Sequence, residues 1–260
     1  MDCFFCGRHG KPTREHVIPR WLAQYLDNDI GVDGGLWIRS GEPLERLPLI
    51  WRRRTDLILR RVCASCNSGW MSRLESDAQQ FLRPLIAGET IKLTPTSRLV
   101  LSRWALKTAA VLGPLQRAPD AVSPELRRRL ADQRDLGNLV ALWGVPHQED
   151  GINAPHWRVG CDRGTNEAPA FNITGIALGK IAFEVAVLNR PDVLPPERIP
   201  PLTPKSFQYV GSDSGAGLCP FPEANAAATP FASRPTDLLR LMVAARLVDP
   251  PCDHPAISPD

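Results

Sequence analysis

Two cysteine pairs, Cys3-x-x-Cys6 and Cys63-x-x-Cys66, constrain this chain more than any other feature of it. C-x-x-C spacing sets two thiols on one side of a tight turn, and two such turns supply the four ligands of a tetrahedral Zn²⁺ site. If one ion takes all four, the first residues must fold back onto residues 63–66, and everything between becomes a closed loop. Gly7 gives the backbone freedom for the turn after the second cysteine. His9 follows at C-x-x-C-x-x-H spacing and could replace one cysteine; with four cysteines at hand, a solvated loop histidine is the plainer reading. Cys161, Cys219 and Cys252 stand alone and read as buried or incidental thiols.

The closed loop carries Arg14-Glu15-His16-Val17-Ile18-Pro19, a short extended segment ended by its proline. It places a metal-binding carboxylate beside an imidazole that takes a proton near neutral pH. Trp21-Leu22 and Tyr25-Leu26 have the spacing of one or two helical turns ending near Asp27-Asn28, followed by a glycine-rich loop. Leu36–Ile38 and Leu57–Leu59 are expected strands. Between residues 46 and 61 stand six arginines (46, 52, 53, 54, 60, 61) and a single acid, Asp56. Such a run is a solvated face or a place to hold phosphates. From Ser65 the pattern turns helical, with Trp70, Leu74, Ala78 and Phe81 or Leu82 on one side and Pro84 ending the run. Asn67 then lies at or near a helix N-terminus, where it is an N-cap or, in the field that favours phosphate, a ligand. Knuckle, Arg-Glu-His segment, basic stretch, and knuckle opening a helix together predict a ββα-metal unit.

Beyond it, Thr94-Pro95 starts a helix to about Leu112 whose apolar residues cover most of its circumference, so it belongs in a core. Ser123-Pro124-Glu125 caps a shorter helix, and its Arg127-Arg128-Arg129 reads as a solvated face. Strands are expected over Leu139–Val145, His156–Cys161, Phe171–Leu178 and Lys180–Asn189, the last two joined at Gly179 as a hairpin. A proline-rich connection (191–204) and a Gly/Ala/Pro-rich loop (212–229) follow, then an amphipathic helix from Thr236 through Leu247. The chain has 26 prolines and a net charge of only +3, so any affinity for nucleic acid must be local. The start has neither the basic nor the apolar part of a signal peptide, and the most apolar run is broken by Lys180 and Glu184. A cytoplasmic protein without membrane contact is the expectation, and there paired cysteines favour metal over disulfide.

With these residues placed, Cys3-x-x-Cys6, Glu15-His16-Val17-Ile18-Pro19 and Cys63-x-x-Cys66-Asn67 resemble the zinc-knuckle branch of the HNH (His-Me finger) nucleases. Asn67–Glu75 and Arg103-Trp104-Ala105-Leu106-Lys107-Thr108-Ala109 resemble bacterial and phage chains of the HNH endonuclease kind. The nuclease motif spans roughly the first third of the chain. The resemblance implies His16 as the general base, Glu15 as an acidic metal ligand, and Asn67 as the second ligand of one catalytic Mg²⁺ or Mn²⁺. The thiolates would keep Zn²⁺ structural. One departure stands out: the family's middle asparagine is replaced by Ile58, and Thr55 or Asp56 is the candidate substitute.

The expected fold is therefore α+β. Residues 1–90 form an HNH-like zinc-bound ββα-metal nuclease domain. A helical plus mainly antiparallel β accessory domain follows over 91–250, and 251–260 is a frayed tail. The expected function is a metal-dependent endonuclease acting on nucleic acid, DNA before RNA, with Arg14, Arg52, Arg53, Arg54, Arg60 and Arg61 on the phosphates. The competing expectations are a zinc-stapled nucleic-acid-binding module without catalysis, and an interaction protein whose C-terminal part does the work.

Overall fold

The computed structural model describes residues 1–30, 35–40, 50–53, 57–89, 91, 93–116, 118–134, 136, 140–146, 152–159, 171–188 and 208–211. It is mixed helix and sheet, as an α+β reading requires. Strand β1 (Pro12–His16) leads through Pro19 into helix α1 (Arg20–Tyr25), which continues as a π-helical turn, Leu26–Ile30. Strands β2 (Gly35–Ser40), β3 (Ile50–Arg53) and β4 (Ile58–Cys63) follow. A π-helical turn, Cys66–Met71, runs into helix α2 (Ser72–Ile86). Helices α3 (Pro95–Leu112) and α4 (Pro124–Ala131) then lead to β5 (Val140–Pro146), β6 (Ile152–Val159), β7 (Phe171–Leu178), β8 (Ile181–Leu188) and β9 (Gln208–Gly211).

β1 pairs antiparallel with β4, from Pro12 opposite Cys63 to His16 opposite Ile58. The register slips between Thr13 and Glu15, which face Val62 and Leu59, so β4 carries one extra residue there. Such a bulge twists a strand and re-aims its side chains. The other strands form one seven-stranded sheet in the order β3-β2-β6-β7-β8-β5-β9. Its pairs are antiparallel except β2 with β6. β2 and β3, which lie between the two cysteine pairs in sequence, thus leave the cysteine-bounded unit and join the sheet of the C-terminal half. A boundary drawn at residue 90 is crossed by that sheet.

Helix α3 is where the two halves meet. Thr94 and Ser97 form a reciprocal capping box, with Ser97 N–H donating to Thr94 Oγ1 and Thr94 N–H to Ser97 Oγ, ahead of Pro95 at the first helical position. Every residue from Trp104 to Leu112 is buried. One face packs on α2 and another on the large sheet, where Trp104 meets the Phe183 ring edge to face at 6.0 Å.

Some expectations need correction. Pro84 does not end α2, which runs on to Ile86; Glu89 N–H closes the end on the Pro84 carbonyl. A proline near a helix end costs less than one at its centre, because few downstream turns depend on it. Strand β6 runs from Ile152 to Val159 where His156–Cys161 was expected, and it takes in Pro155 despite the missing N–H. Arg127 is not on a solvated face: it is buried, its guanidinium 3.8 Å from the Phe4 ring centroid, and it donates to the Pro119 carbonyl. The Thr236–Leu247 helix, the tail, and Cys161, Cys219 and Cys252 lie outside the described residues.

The β7–β8 hairpin turns at Gly179, with φ at +56°. A Cβ at Gly179 would stand 2.8 Å from the Ile86 carbonyl oxygen, which also accepts a hydrogen bond from Lys180 N–H at 3.0 Å. Gly179→Ala should therefore cost about 1–3 kcal/mol. Urea denaturation of the two proteins side by side checks this; equal midpoints would remove the close-approach argument.

Candidate functional site

The four cysteine Sγ atoms all lie within 4.8 Å of one another. Cys3, Cys63 and Cys66 are buried and Cys6 is half-buried. Local structure explains the convergence. The knuckle turn closes through Gly7 N–H to the Cys3 carbonyl, with Gly7 at φ +70°. Phe4 N–H bonds the Arg61 carbonyl on β4, and Cys63 N–H points at Cys3 Sγ, 3.3 Å away. Phe5 stacks edge to face on Trp70 at 5.2 Å, pinning the knuckle to the turn that opens α2. Four thiolates at the Zn–S distance of about 2.3 Å stand roughly 3.8 Å apart in a tetrahedron. The Cys6 and Cys63 sulfurs are separated by 3.8 Å.

The donor set thus fits a metal such as zinc. Electrostatics point the same way. Burial works against ionisation of Cys63, yet the Ser65 hydroxyl, the Cys66 backbone amide and neighbouring thiols outweigh it and bring this thiol down to about 6. Burial then pushes Cys66 and Cys6 up. Thiols this close cannot all ionise without a cation among them. His9 stands apart: it is exposed and pairs with Asp2 at 3.3 Å, as a loop histidine would.

The tetrad fixes β1 against the start of α2, and the second cluster lies along that seam. Asn67 is not an N-cap. Its Nδ2 donates to Thr13 Oγ1 at 2.9 Å and to the Arg14 carbonyl at 3.4 Å, while the residue at the cap, Ser65, makes no capping bond. Among the described residues nothing donates to Asn67 Oδ1. Glu15 is buried, 4 % exposed, and its Oε1 accepts from Lys107 Nζ at 3.1 Å. Lys107 is fully buried and donates also to Glu75 Oε1 at 2.6 Å. Burial opposes the Lys107 charge, but Glu75 and Glu15 more than offset it and hold the ammonium above its usual range. Burial, with the charge of Glu75, raises Glu15 despite the lysine.

His16 closes β1 half-buried, and among the described residues neither ring nitrogen has a hydrogen-bond partner. Burial lowers its pKa, and the charges of Arg20 and Arg14 lower it further against a smaller opposite pull from Glu75. The ring is therefore neutral at physiological pH.

Of the expected phosphate-binding arginines, Arg14 stands near enough to His16 for its charge to act on the ring. Arg14 is exposed on β1; Arg60 and Arg61 are exposed on β4, Arg61 lying 5.9 Å from the Phe4 ring centroid. Arg52 and Arg53 are on β3, in the large sheet, and Arg54, Thr55 and Asp56 lie outside the described residues. Lys107 and Glu75 entered the sequence analysis only within the segments that resemble HNH endonuclease chains, Arg103–Ala109 and Asn67–Glu75, and were given no role there. The available signal was a lysine in the middle of a helix apolar on nearly every side, where a charge needs partners.

Two outcomes follow. Purified protein should contain about one zinc per chain, and Cys63→Ser should lose it and destabilise the N-terminal third; soluble, folded protein with no zinc in metal analysis would refute this. Lys107→Met should destabilise by about 3–5 kcal/mol at pH 7, because it leaves the buried Glu15 carboxylate and the half-buried Glu75 without their cation. A buried carboxyl held above its unfolded value loses stability as pH rises between the two. The variant's deficit against wild type should therefore shrink as pH falls toward the ordinary glutamate value of about 4.3. A deficit that does not change with pH would assign the loss to packing alone.

Among the described residues no helix is long and apolar enough to cross a membrane. Comparison with known proteins returned nothing similar to this chain: no family model, no curated protein and no solved structure matches it.

Proposed function

We propose that this chain is a metal-dependent endonuclease of the HNH (His-Me finger) type, hydrolysing phosphodiester bonds of nucleic acid, DNA in preference to RNA. One observation carries the reading. Among the described residues the His16 ring nitrogens have no hydrogen-bond partner, and His16 follows a buried acid on a strand that Asn67 ties to the helix opened by four thiols able to hold a metal. A neutral imidazole is the form that can take a proton from an attacking water. Asn67, its amide nitrogen engaged by Thr13 and Arg14, keeps a carbonyl oxygen for a hard cation. Glu15 has one oxygen committed to Lys107 and would contribute through the other. Mg²⁺ or Mn²⁺ held by Glu15 and Asn67 would polarise the scissile phosphate and stabilise the leaving oxygen. The chain's own groups do the rest: His16 accepts the proton, Asn67 and Lys107 orient the strand, and Arg14 and Arg20 keep the imidazole unprotonated. Exposed arginines on β1 and β4 are available to the phosphates on either side.

A second reading rests on a different observation. Lys107 neutralises Glu15 from within, and Ile58 stands where an asparagine would fix the base. A zinc-stapled nucleic-acid-binding module without catalysis has those properties, and it would bind nucleic acid in EDTA and cut nothing.

Nicking of supercoiled plasmid in Mg²⁺, Mn²⁺ and EDTA, with wild type beside His16→Ala, separates the two. Under the first reading wild type nicks only with the metals, and His16→Ala keeps zinc and fold but loses about 10²–10⁴-fold in rate. The rate should fall on the acid side below the ordinary histidine range, and Arg20→Ala should move that fall to higher pH by removing a charge that opposes protonation. His16→Ala cutting at the wild-type rate, in a preparation shown free of contaminating nuclease, would end the catalytic reading.

A further inference from the structure

We infer that Lys107 is a positioning residue of the His16 site, and that helix α3 is part of the catalytic unit although it lies outside the motif-bearing third of the chain. This deepens the hydrolytic reading and rests on it. Strand β1 is gripped by side-chain bonds over consecutive residues: Asn67 holds the Thr13 hydroxyl and the Arg14 carbonyl, and Lys107 holds the Glu15 carboxylate. His16 comes next and is the first to have no such bond among the described residues. The ammonium reaches Glu15 across 92 positions of sequence and takes Glu75 of α2 at the same time. One charge therefore relates strand β1, the helix that carries Asn67, and the core helix α3.

The bland alternative is a fold staple, and the physical chemistry of buried charge argues against it. Desolvating one ammonium and two carboxylates costs several kcal/mol per ion, and apolar side chains of similar size usually stabilise as well or better. Charged groups supply direction, which apolar packing does not. The N–H bonds of a fully buried ammonium fix the places where two carboxylate oxygens lie. For a residue that must place its neighbour on a reacting water, direction is the useful property, since misplacement by about 1 Å costs on the order of 10²-fold in rate. Glu15 is the neighbour of His16, and its carboxylate is the one so fixed.

The test is plasmid nicking by full-length protein at saturating Mn²⁺, with zinc content and melting temperature measured for every variant. Lys107→Met alone is at risk of unfolding. The deciding variant is therefore Lys107→Gln combined with Glu75→Gln, which removes one positive and one negative charge together and so leaves the net charge of the cluster unchanged. It should keep zinc, melt cooperatively above the assay temperature, keep the plasmid KM, and lose about 10²-fold in kcat. Glu75→Gln alone, which leaves the Lys107–Glu15 pair in place, should lose less. Overturning results are a folded, zinc-loaded double variant that cuts like wild type, or one whose kcat is no lower than that of Glu75→Gln alone. A loss that appears in KM with kcat unchanged would also overturn it, by assigning Lys107 to substrate binding. Absence of nicking by wild type would remove the hydrolytic reading and this inference together. Nicking by wild type and double variant alike removes the inference alone.

Discussion

The convergence of four thiols from the two ends of a long loop is the constraint on which the rest depends. Bringing Cys3 and Cys6 to Cys63 and Cys66 forces β1 and β4 side by side and sets the first turn of α2 across them. A two-stranded ribbon has little stability of its own in water, so the register that puts His16 opposite Ile58 has to come from elsewhere. The thiol cluster supplies one end of that support. The buried lysine supplies the other, and between them the strand has no freedom to slip by a residue. A slip of one would exchange the faces of Glu15 and His16 and bury the imidazole in place of the acid.

Much of this was legible in residue spacing. C-x-x-C pairs declare their partners, a Thr-Pro at 94–95 declares a helix start, and alternating apolar residues around Gly179 declare a hairpin. Each of those signals is local, and local physics decides the outcome. What could not be read depends on partners far away in sequence. That β2 leaves the cysteine-bounded unit to pair parallel with β6 is set by the sheet it joins, and nothing in Leu36–Ile38 names that sheet. Asn67 is a case between: the spacing placed it correctly beside the helix start, but both an N-cap and a cross-strand bond satisfy that position. Only the presence of Thr13 within 2.9 Å decides for the second.

Charged residues were the hardest to assign, for a physical reason. A run of arginines looks the same whether it faces solvent, stacks on a ring or meets phosphate. Arg127 belongs with Phe4 because α4 docks on the knuckle, a contact that no pattern within Arg127–Arg129 encodes. Lys107 is the converse. Its isolation inside an apolar helix was visible, but its role needed Glu15 and Glu75, which come from other elements.

The location of Lys107 also sets an order of assembly. As the chain leaves the ribosome, both cysteine pairs emerge before helix α3, so the thiols can close while Glu15 and Glu75 still lack their ammonium. At that stage two acids with no internal counter-charge have to stay in water, and the strand that carries His16 is tethered only at its knuckle end. Docking of α3 brings the missing charge and the apolar wall in a single event. A nascent chain whose thiols have already met is thus without the Lys107–Glu15 contact, and without the grip it gives the strand beside His16, until the core helix arrives.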